Sequence, residues 1–409
     1  MPKVRTREPF RGQGVMVFEM PDDRLPDDHR ARLLWKVVET LDLSAFTADA
    51  KAVEGRQGRP VASTRMLLTL WLYAISMGVG SARAIERLIG TDDAFRWIVG
   101  DQTVSHSRLS EFRVGHGAAL DKLFTDVLAV LLSKGLVTLD LVAQDGTRVR
   151  AAASAPSFRR EAALEACREQ AALHIKAVLA EADDPEATKA EKRARLAAAR
   201  DYQRRVDEAL ATVKALGEAG KETPRASTTD AEARAMKMAD GGYRPGYNVQ
   251  LATAGSPMGG ARTIVGVIVS NVGSDMGSVT PMLEQIEART GQLPKVLLAD
   301  ANHAKHDCIR TCDARGVEAL ISVPKRSQKA GPNADKDAPI AAWRARMQTD
   351  EAKRVFRARA SLCEISNAHL KDHHGTAQVL LRGLEKVTCI ALLAGLAANV
   401  LQHAVQLLG

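Results

Sequence analysis

Asp145, Asp300 and Glu364 are the residues whose types and placement could do chemistry. Asp145 closes an apolar run in LVTLDLVAQDGTRVRA, and Asp300 closes another in PKVLLADANHAKH. Glu364 lies in a helix-like stretch, VFRARASLCEISNAHLKDHHG. Two carboxylates at strand ends and a third on a late helix can hold two divalent cations, the arrangement that cuts and rejoins phosphodiester bonds. Mg²⁺ takes oxygen ligands, chiefly carboxylates and water. Each acid also has a plainer reading. Asp145 before Gly146 fits a turn, Asp300 fits the cap of a following helix, and Glu364 fits a solvated helix face. Their order on successive elements carries the chemical reading.

A sheet and a late helix must bring these residues together. Val137, Leu139, Leu141 and Ala143 alternate, which predicts a strand ending at Asp145, and GTRVRAAAS reads as a turn and a short return strand. Further strands are predicted in GYNVQLATA, ARTIVGVIVSN, PKVLLAD and VEALISV, with helices in MGSVTPMLEQIEART and HDCIRTCDARG. PKRSQKAGPNADKDAP reads as a polar loop, followed by two helices over roughly 350–374 and 385–408. This order predicts an α/β fold with a mixed sheet, matching an RNase H-like core.

Ahead of that core, residues 27–135 read as all-helical. Leu33, Leu34, Val37, Val38 and Leu41 recur at helical spacing, and Ser63 or Thr64 can cap TRMLLTLWLYAISMG. SARAIERLIG, DDAFRWIVG and a long segment from SHSRLSEF to Gly135 continue the pattern. Residues 1–26 are polar and broken by prolines, as in an extended arm. The predicted catalytic domain, 136–409, contains a charged, Ala-rich stretch over 158–221. There Leu164, Cys167, Ala171, Ile175 and Val178, then Leu196, Tyr202, Val206, Leu210 and Val213, predict an inserted helical hairpin.

Composition narrows the partners. The 409 residues carry a formal net charge of +8, which favours a polyanion such as nucleic acid or an acidic membrane surface. Five scattered cysteines do not form a disulfide framework and read as reduced cytosolic thiols. Cys308 and Cys312 lie four apart without a second pair at zinc spacing. The polar N-terminus lacks the pattern of a signal peptide. The apolar tail ALLAGLAANVLQHAVQLLG contains Asn399, Gln402 and His403, and is too short and polar to read as a membrane span.

The chain resembles a DDE transposase of a bacterial insertion sequence, with an InsH-like helical N-terminal domain. GRPVASTRMLLTLWLYAISMGVGSARAIERLIGTDDAFRWIVG and SHSRLSEFR resemble that domain. QDGTRVRAAAS resembles the first-aspartate block, DAEARAMKMADGGYRPGYNVQLA the block leading into the next strand, and LLADANHAK the second-aspartate block. CEISNAHLKDHHGTAQVLLRGLEKV resembles the glutamate block.

The resemblance implies an RNase H-like core with Asp145, Asp300 and Glu364 as the catalytic, metal-binding triad. It implies two Mg²⁺ ions, with Mn²⁺ able to substitute, and Arg148, Arg244, Arg359, Lys371 and Arg382 as DNA-contacting residues. Lys371 lies seven residues after Glu364, where the family has a basic residue near the cut. Asn302 and His303 stand where the family has a Gly-aromatic pair. Glu351 and Glu385 are alternative third acids without a lysine at the matching offset. The implied partners are double-stranded DNA, both transposon end and target, and a second copy of the chain on DNA; no membrane is implied. The implied location is the bacterial cytoplasm, at the nucleoid.

Other motifs weigh less. GGYRPGYNVQ lacks the order of a phosphate-binding loop and reads as a hairpin turn with Arg244 near DNA. VGSARAIERLIG followed by TVSHSRLSEF suggests a helix-turn-helix-like unit, with a plain helical bundle as the alternative. His373 and His374 are adjacent, so on a helix they diverge by about 100° and do not share an ion. Two other functions remain open on sequence: an RNase H-like nuclease without strand transfer, and a non-catalytic DNA-binding derivative.

Overall fold

A computed structural model describes residues 20–48, 62–100, 102–180, 188–324, 337–368, 370–371 and 377–409. Most of the N-terminal arm, much of the polar loop after Val323, and the His373–His374 pair lie outside them.

Side chains that accept from free N–H groups punctuate the first region. Among the described residues, six α-helices follow one another: α1 (Arg30–Thr40), α2 (Thr64–Ser76), α3 (Ala82–Thr91), α4 (Asp93–Val99), α5 (His106–Gly115) and α6 (Gly117–Ser133). Ser63, Ser81, Asp92 and Ser105 cap α2, α3, α4 and α5 through backbone N–H groups two or three residues on. Gly100, at φ 56°, ends α4 in the left-handed conformation that glycine adopts most readily. Every residue of α2 from Met66 to Ser76 is buried, so this helix forms the centre of the layer.

The sheet begins with β1 (Leu141–Arg150), which runs straight through Asp145. The predicted turn at Gly146 and the return strand do not form. The chain stays extended because β1 pairs antiparallel with a long partner, from Val142 opposite Ala254 to Arg150 opposite Gly246. Gly146 serves packing rather than turning: a Cβ there would collide with the side chains of Gln250 and Asp275.

After β1 come β2 (Phe158–Arg159), α7 (Glu161–Ala180), α8 (Lys189–Glu218), β3 (Ala226–Ser227), β4 (Arg234–Lys237), β5 (Tyr243–Ala254) and β6 (Thr263–Ser270). Helix α9 (Val279–Thr290), β7 (Val296–Ala299), α10 (His306–Ala314) and β8 (Glu318–Ile321) complete the sheet. Its main order is β4-β5-β1-β7-β8, with β6 also pairing on β5. β5 is antiparallel to both β6 and β1, and β1, β7 and β8 are parallel.

Helices α7 and α8 pack on each other around Leu164, Ala209, Leu210 and Val213, a cluster separate from the main core. At their feet β2 pairs with β3, and the Ser157 and Ser227 hydroxyls lie 2.6 Å apart.

Helix α11 (Ala338–Arg346) was not foreseen; Trp343 anchors it by donating from Nε1 to Ile321 O at 2.9 Å. The single helix expected over 350–374 is two, α12 (Asp350–Phe356) and α13 (Ala358–Ala368), which separate at Arg357. Thr349 caps the first.

The last helix, α14 (Leu384–Leu408), joins the two halves of the molecule. By length and composition it could cross a membrane, but Val387, Leu393, Leu396 and Val400 are buried in one core with α1, α2, α6 and the sheet. Gly395 permits the close fit, since a Cβ there would sit 3.0 Å from Phe124 of α6 and 3.4 Å from Val267 of β6. Amide side chains also pair the free edge of β6. Asn399 accepts from Ile264 N and donates to Ile264 O, both at 2.8 Å. Gln285 of α9 does the same at Val267, at 2.7 and 2.9 Å. An edge strand that would otherwise offer unpaired groups to another chain is thereby closed.

Candidate active site

The parallel pairing of β1 with β7 sets Leu141, Val142 and Ala143 beside Val296, Leu297 and Leu298. Asp145 lies two residues beyond Ala143, and Asp300 two beyond Leu298. The same register therefore carries both aspartates to neighbouring positions. Their side chains are 21% and 30% exposed, so both are partly open to solvent.

Asp300 is held on three sides. It accepts from Asn302 N at 3.0 Å and from Asn302 Nδ2 at 2.9 Å, and pairs with His303 Nδ1 at 2.7 Å. His303 is fully buried, with Nε2 3.1 Å from Gln250 Oε1. Gln250 donates onward to Asp275 Oδ1 at 2.6 Å, and Arg148 donates to Asp275 Oδ2 at 2.9 Å. A continuous polar chain thus links Asp300 to Arg148. Burial pushes the Asp300 carboxyl up, but the His303 hydrogen bond and charge, the Asn302 N–H and Arg359 outweigh it and leave it below the usual range.

Asp145 is held from α13. Asn367 Nδ2 donates to its Oδ2 at 3.0 Å, and Arg359 Nη1 stands 3.9 Å from the same oxygen. Arg359, Cys363 and Asn367 are four residues apart and share one helix face. Burial is the main influence on the Asp145 carboxyl and raises it; Arg359 opposes this, and the nearby Asp300 charge adds to it. Burial also pushes the Cys363 thiol far up, with Asp145 adding to the effect, so Cys363 is an inert packing residue rather than a nucleophile.

Glu364 does not join the two aspartates. It is exposed on α13, about 100° around the helix from Cys363. Among the described residues, no group of three or more His, Cys, Asp or Glu side chains is placed to hold a metal ion. The alternatives fare no better: Glu351 is exposed in the first turn of α12, and Glu385 opens α14.

The five basic residues proposed for DNA are dispersed. Arg148 and Lys371 line a cleft of about 860 Å³ beside Gly146, Ala301 and Asn302, together with Lys237. Arg359 faces Asp145 rather than the outside. Arg244 lies at the far end of β5, paired with Asp240. Arg382 is exposed and acts on Asp201 of α8, beside the helical hairpin. The sequence reading missed Asn367, Gln250 and Asp275, and noted His303 only as a departure. The spacing of Asn367 from Arg359 was the available signal.

The donors suit a hard cation. Asp145 and Asp300 offer carboxylate oxygens side by side, and the buried Asn367 Oδ1 next to them has no hydrogen-bond partner.

A mixed sheet with two adjacent aspartates and a helical layer ahead of it has the arrangement of an RNase H-like fold. Residues 218–400 match the family model described as Transposase DDE domain, and residues 19–115 match that described as Transposase domain (DUF772). The chain belongs to the DDE transposases of insertion sequences. Asp300 and Glu364 fall inside the matched DDE segment; Asp145 precedes it and is tied to Asp300 by the β1–β7 register. No curated protein and no solved structure matches the chain.

Proposed function

We propose that the protein binds the terminal inverted repeats of its element, cleaves the DNA there with water, and joins the freed 3′-hydroxyl to target DNA. The observation that carries this reading is the placement of Asp145 and Asp300 at neighbouring positions of parallel strands, each followed by a residue, Gly146 and Ala301, that lines the cleft of Arg148, Lys237 and Lys371. Asp145 and Asp300 would hold Mg²⁺ or Mn²⁺, and Glu364, exposed on the helix that carries Asn367, is the third ligand that the family resemblance implies. Bound there, divalent cations activate the attacking hydroxyl and stabilise the leaving oxygen.

The chain's own residues prepare the site. Asn367 and Arg359 fix the Asp145 carboxylate, while Asn302 and His303 fix Asp300. Ligand orientation of this kind is what supporting hydrogen bonds supply around metal sites. Arg148, Lys237 and Lys371 offer positive charge to backbone phosphates, which position DNA without reading its sequence. The helical region, residues 27–135, supplies sequence recognition in this reading. Two copies act together on two DNA ends, in the bacterial cytoplasm.

A strand-transfer assay with pre-cut terminal DNA tests the reading. Joining of the 3′ end to a target plasmid in Mg²⁺ is the expected result. Hydrolysis without joining would instead establish a nuclease, and DNA binding without either reaction a non-catalytic derivative.

A further inference from the structure

A second basic cavity lies at the other end of the sheet. It measures about 350 Å³ and is lined by Lys221, Arg225, Arg234 and Arg244, with Phe158 and Tyr243 as its aromatic members. No carboxylate is among the described residues that line it. Arg244 is paired with Asp240, and Arg234 donates to the Ala231 and Ala233 carbonyls. Among the described residues, Lys221 and Arg225 make no ion pair. Tyr243 is 72% exposed although it opens a strand whose later residues are buried.

Four cations around a concave site attract an anion; an exposed aromatic ring at its wall attracts a flat one. Grooves that combine positive charge with aromatic platforms bind single-stranded nucleic acid, because each base offers a face to stack while the cations follow the phosphates. A paired base inside a duplex has both faces covered, so an exposed tyrosine selects an unpaired one. The volume is at the lower end of the range for small-molecule sites, about 300–1,000 Å³, sufficient for one nucleotide.

The position suits the same DNA. β1 runs from Asp145 to Arg150, which pairs with Gly246, and Ala151 N donates to Pro245 O at 3.0 Å. At a strand rise of about 3.3 Å per residue, the cavity mouth lies roughly 20 Å from Asp145, or about six nucleotides along a strand at 3.4 Å each.

We infer that the cleft between the foot of the α7–α8 hairpin and the β4–β5 turn seats one unpaired nucleotide of the DNA strand, its base on Tyr243 and its phosphate among Lys221, Arg225 and Arg234. This rests on the reading of the protein as a DNA transposase, but its test does not need catalysis. Full-length protein in EDTA is titrated with two labelled duplexes of the element's terminal sequence, one fully paired and one carrying a short unpaired stretch about six nucleotides from the end. A 5-iodouracil in that stretch reports stacking by photo-crosslinking.

The cleft should yield a crosslink at Tyr243. Tyr243→Ala should weaken binding of the unpaired duplex about tenfold and leave the paired duplex unchanged, and Tyr243→Phe should restore it. Arg225→Glu should weaken binding and flatten the salt dependence. Equal binding of both duplexes by wild-type protein and Tyr243→Ala, or a loss equal on both, would overturn the inference. Tighter competition by free dTMP than by the strand would overturn it as well, by making the cleft a mononucleotide site. Absence of any DNA binding would overturn the transposase reading itself.

Discussion

Asn367 donates to Asp145 Oδ2 at 3.0 Å, joining a late helix to a strand 222 residues earlier in the chain. Glu364 sits one turn before it and is exposed. In the proposed reading Asn367 has a supporting role and Glu364 a direct one. Asn367→Ala should reduce cleavage by roughly 10–100-fold, the usual cost of removing a hydrogen bond behind a metal ligand. Glu364→Ala should abolish cleavage while leaving the unfolding temperature unchanged. Single-turnover cleavage and calorimetry on both variants check this. Wild-type activity in Glu364→Ala would remove it from the site.

The two aspartates should respond with opposite sign to loss of charge in metal-free protein. Burial raises Asp145, so its ionised form costs stability at neutral pH; Asp145→Asn should not lower the unfolding temperature. Asp300 is depressed, so its ionised form contributes stability at neutral pH that is lost as pH falls through the folded value. Asp300→Asn should lower the unfolding temperature at pH 7 in EDTA. Equal losses from both changes would contradict the assigned environments.

His403 supplies an acid-sensitive point away from the site. It is buried on α14, 2.8 Å from Thr263 Oγ1, and burial depresses its pKa. The unfolded chain then binds the proton more readily, so stability is present above about pH 6.5 and is lost as pH falls from there toward the folded value. Wild-type protein should lose more stability between pH 7.5 and 5.5 than His403→Gln. Parallel pH profiles would show that His403 does not contribute.

Helix α14 makes the helical region and the sheet interdependent. Gly395→Leu would force a side chain into Phe124 and Val267, and overpacking of this kind costs about 1–3 kcal/mol. One unfolding transition at a lower temperature is expected. A fragment ending at residue 135 lacks α14, so it should expose apolar surface and unfold without a sharp transition. A sharply melting, monomeric fragment would show that the helical region closes on its own.

Much of this was legible in sequence because the patterns are local. Short apolar runs located β5, β6, β7 and β8, and Ser63 or Thr64 marked the start of α2. Asp145 and Asp300 could be paired because both follow apolar runs that become parallel neighbours. The rest depends on distant partners. β1 passes through Asp145-Gly146 because it pairs with β5 along its whole length, a partner more than 90 residues away in the chain. The break at Arg357 follows a cap at Thr349 that a long amphipathic pattern conceals. Asn367 and His303 acquire their roles from residues far away in the chain, and spacing alone could not assign them.

Metal-dependent cleavage of the element's terminal DNA by wild-type protein, Asp145→Ala and Asp300→Ala, with DNA affinity measured on the same preparations, tests the central claim most directly. Wild-type protein should nick the end in Mg²⁺ and not in EDTA, and both variants should bind DNA as tightly as wild type and cut nothing. Cleavage at the wild-type rate by Asp145→Ala would contradict the account, because the strand register that brings Asp145 beside Asp300 would then have no part in the chemistry.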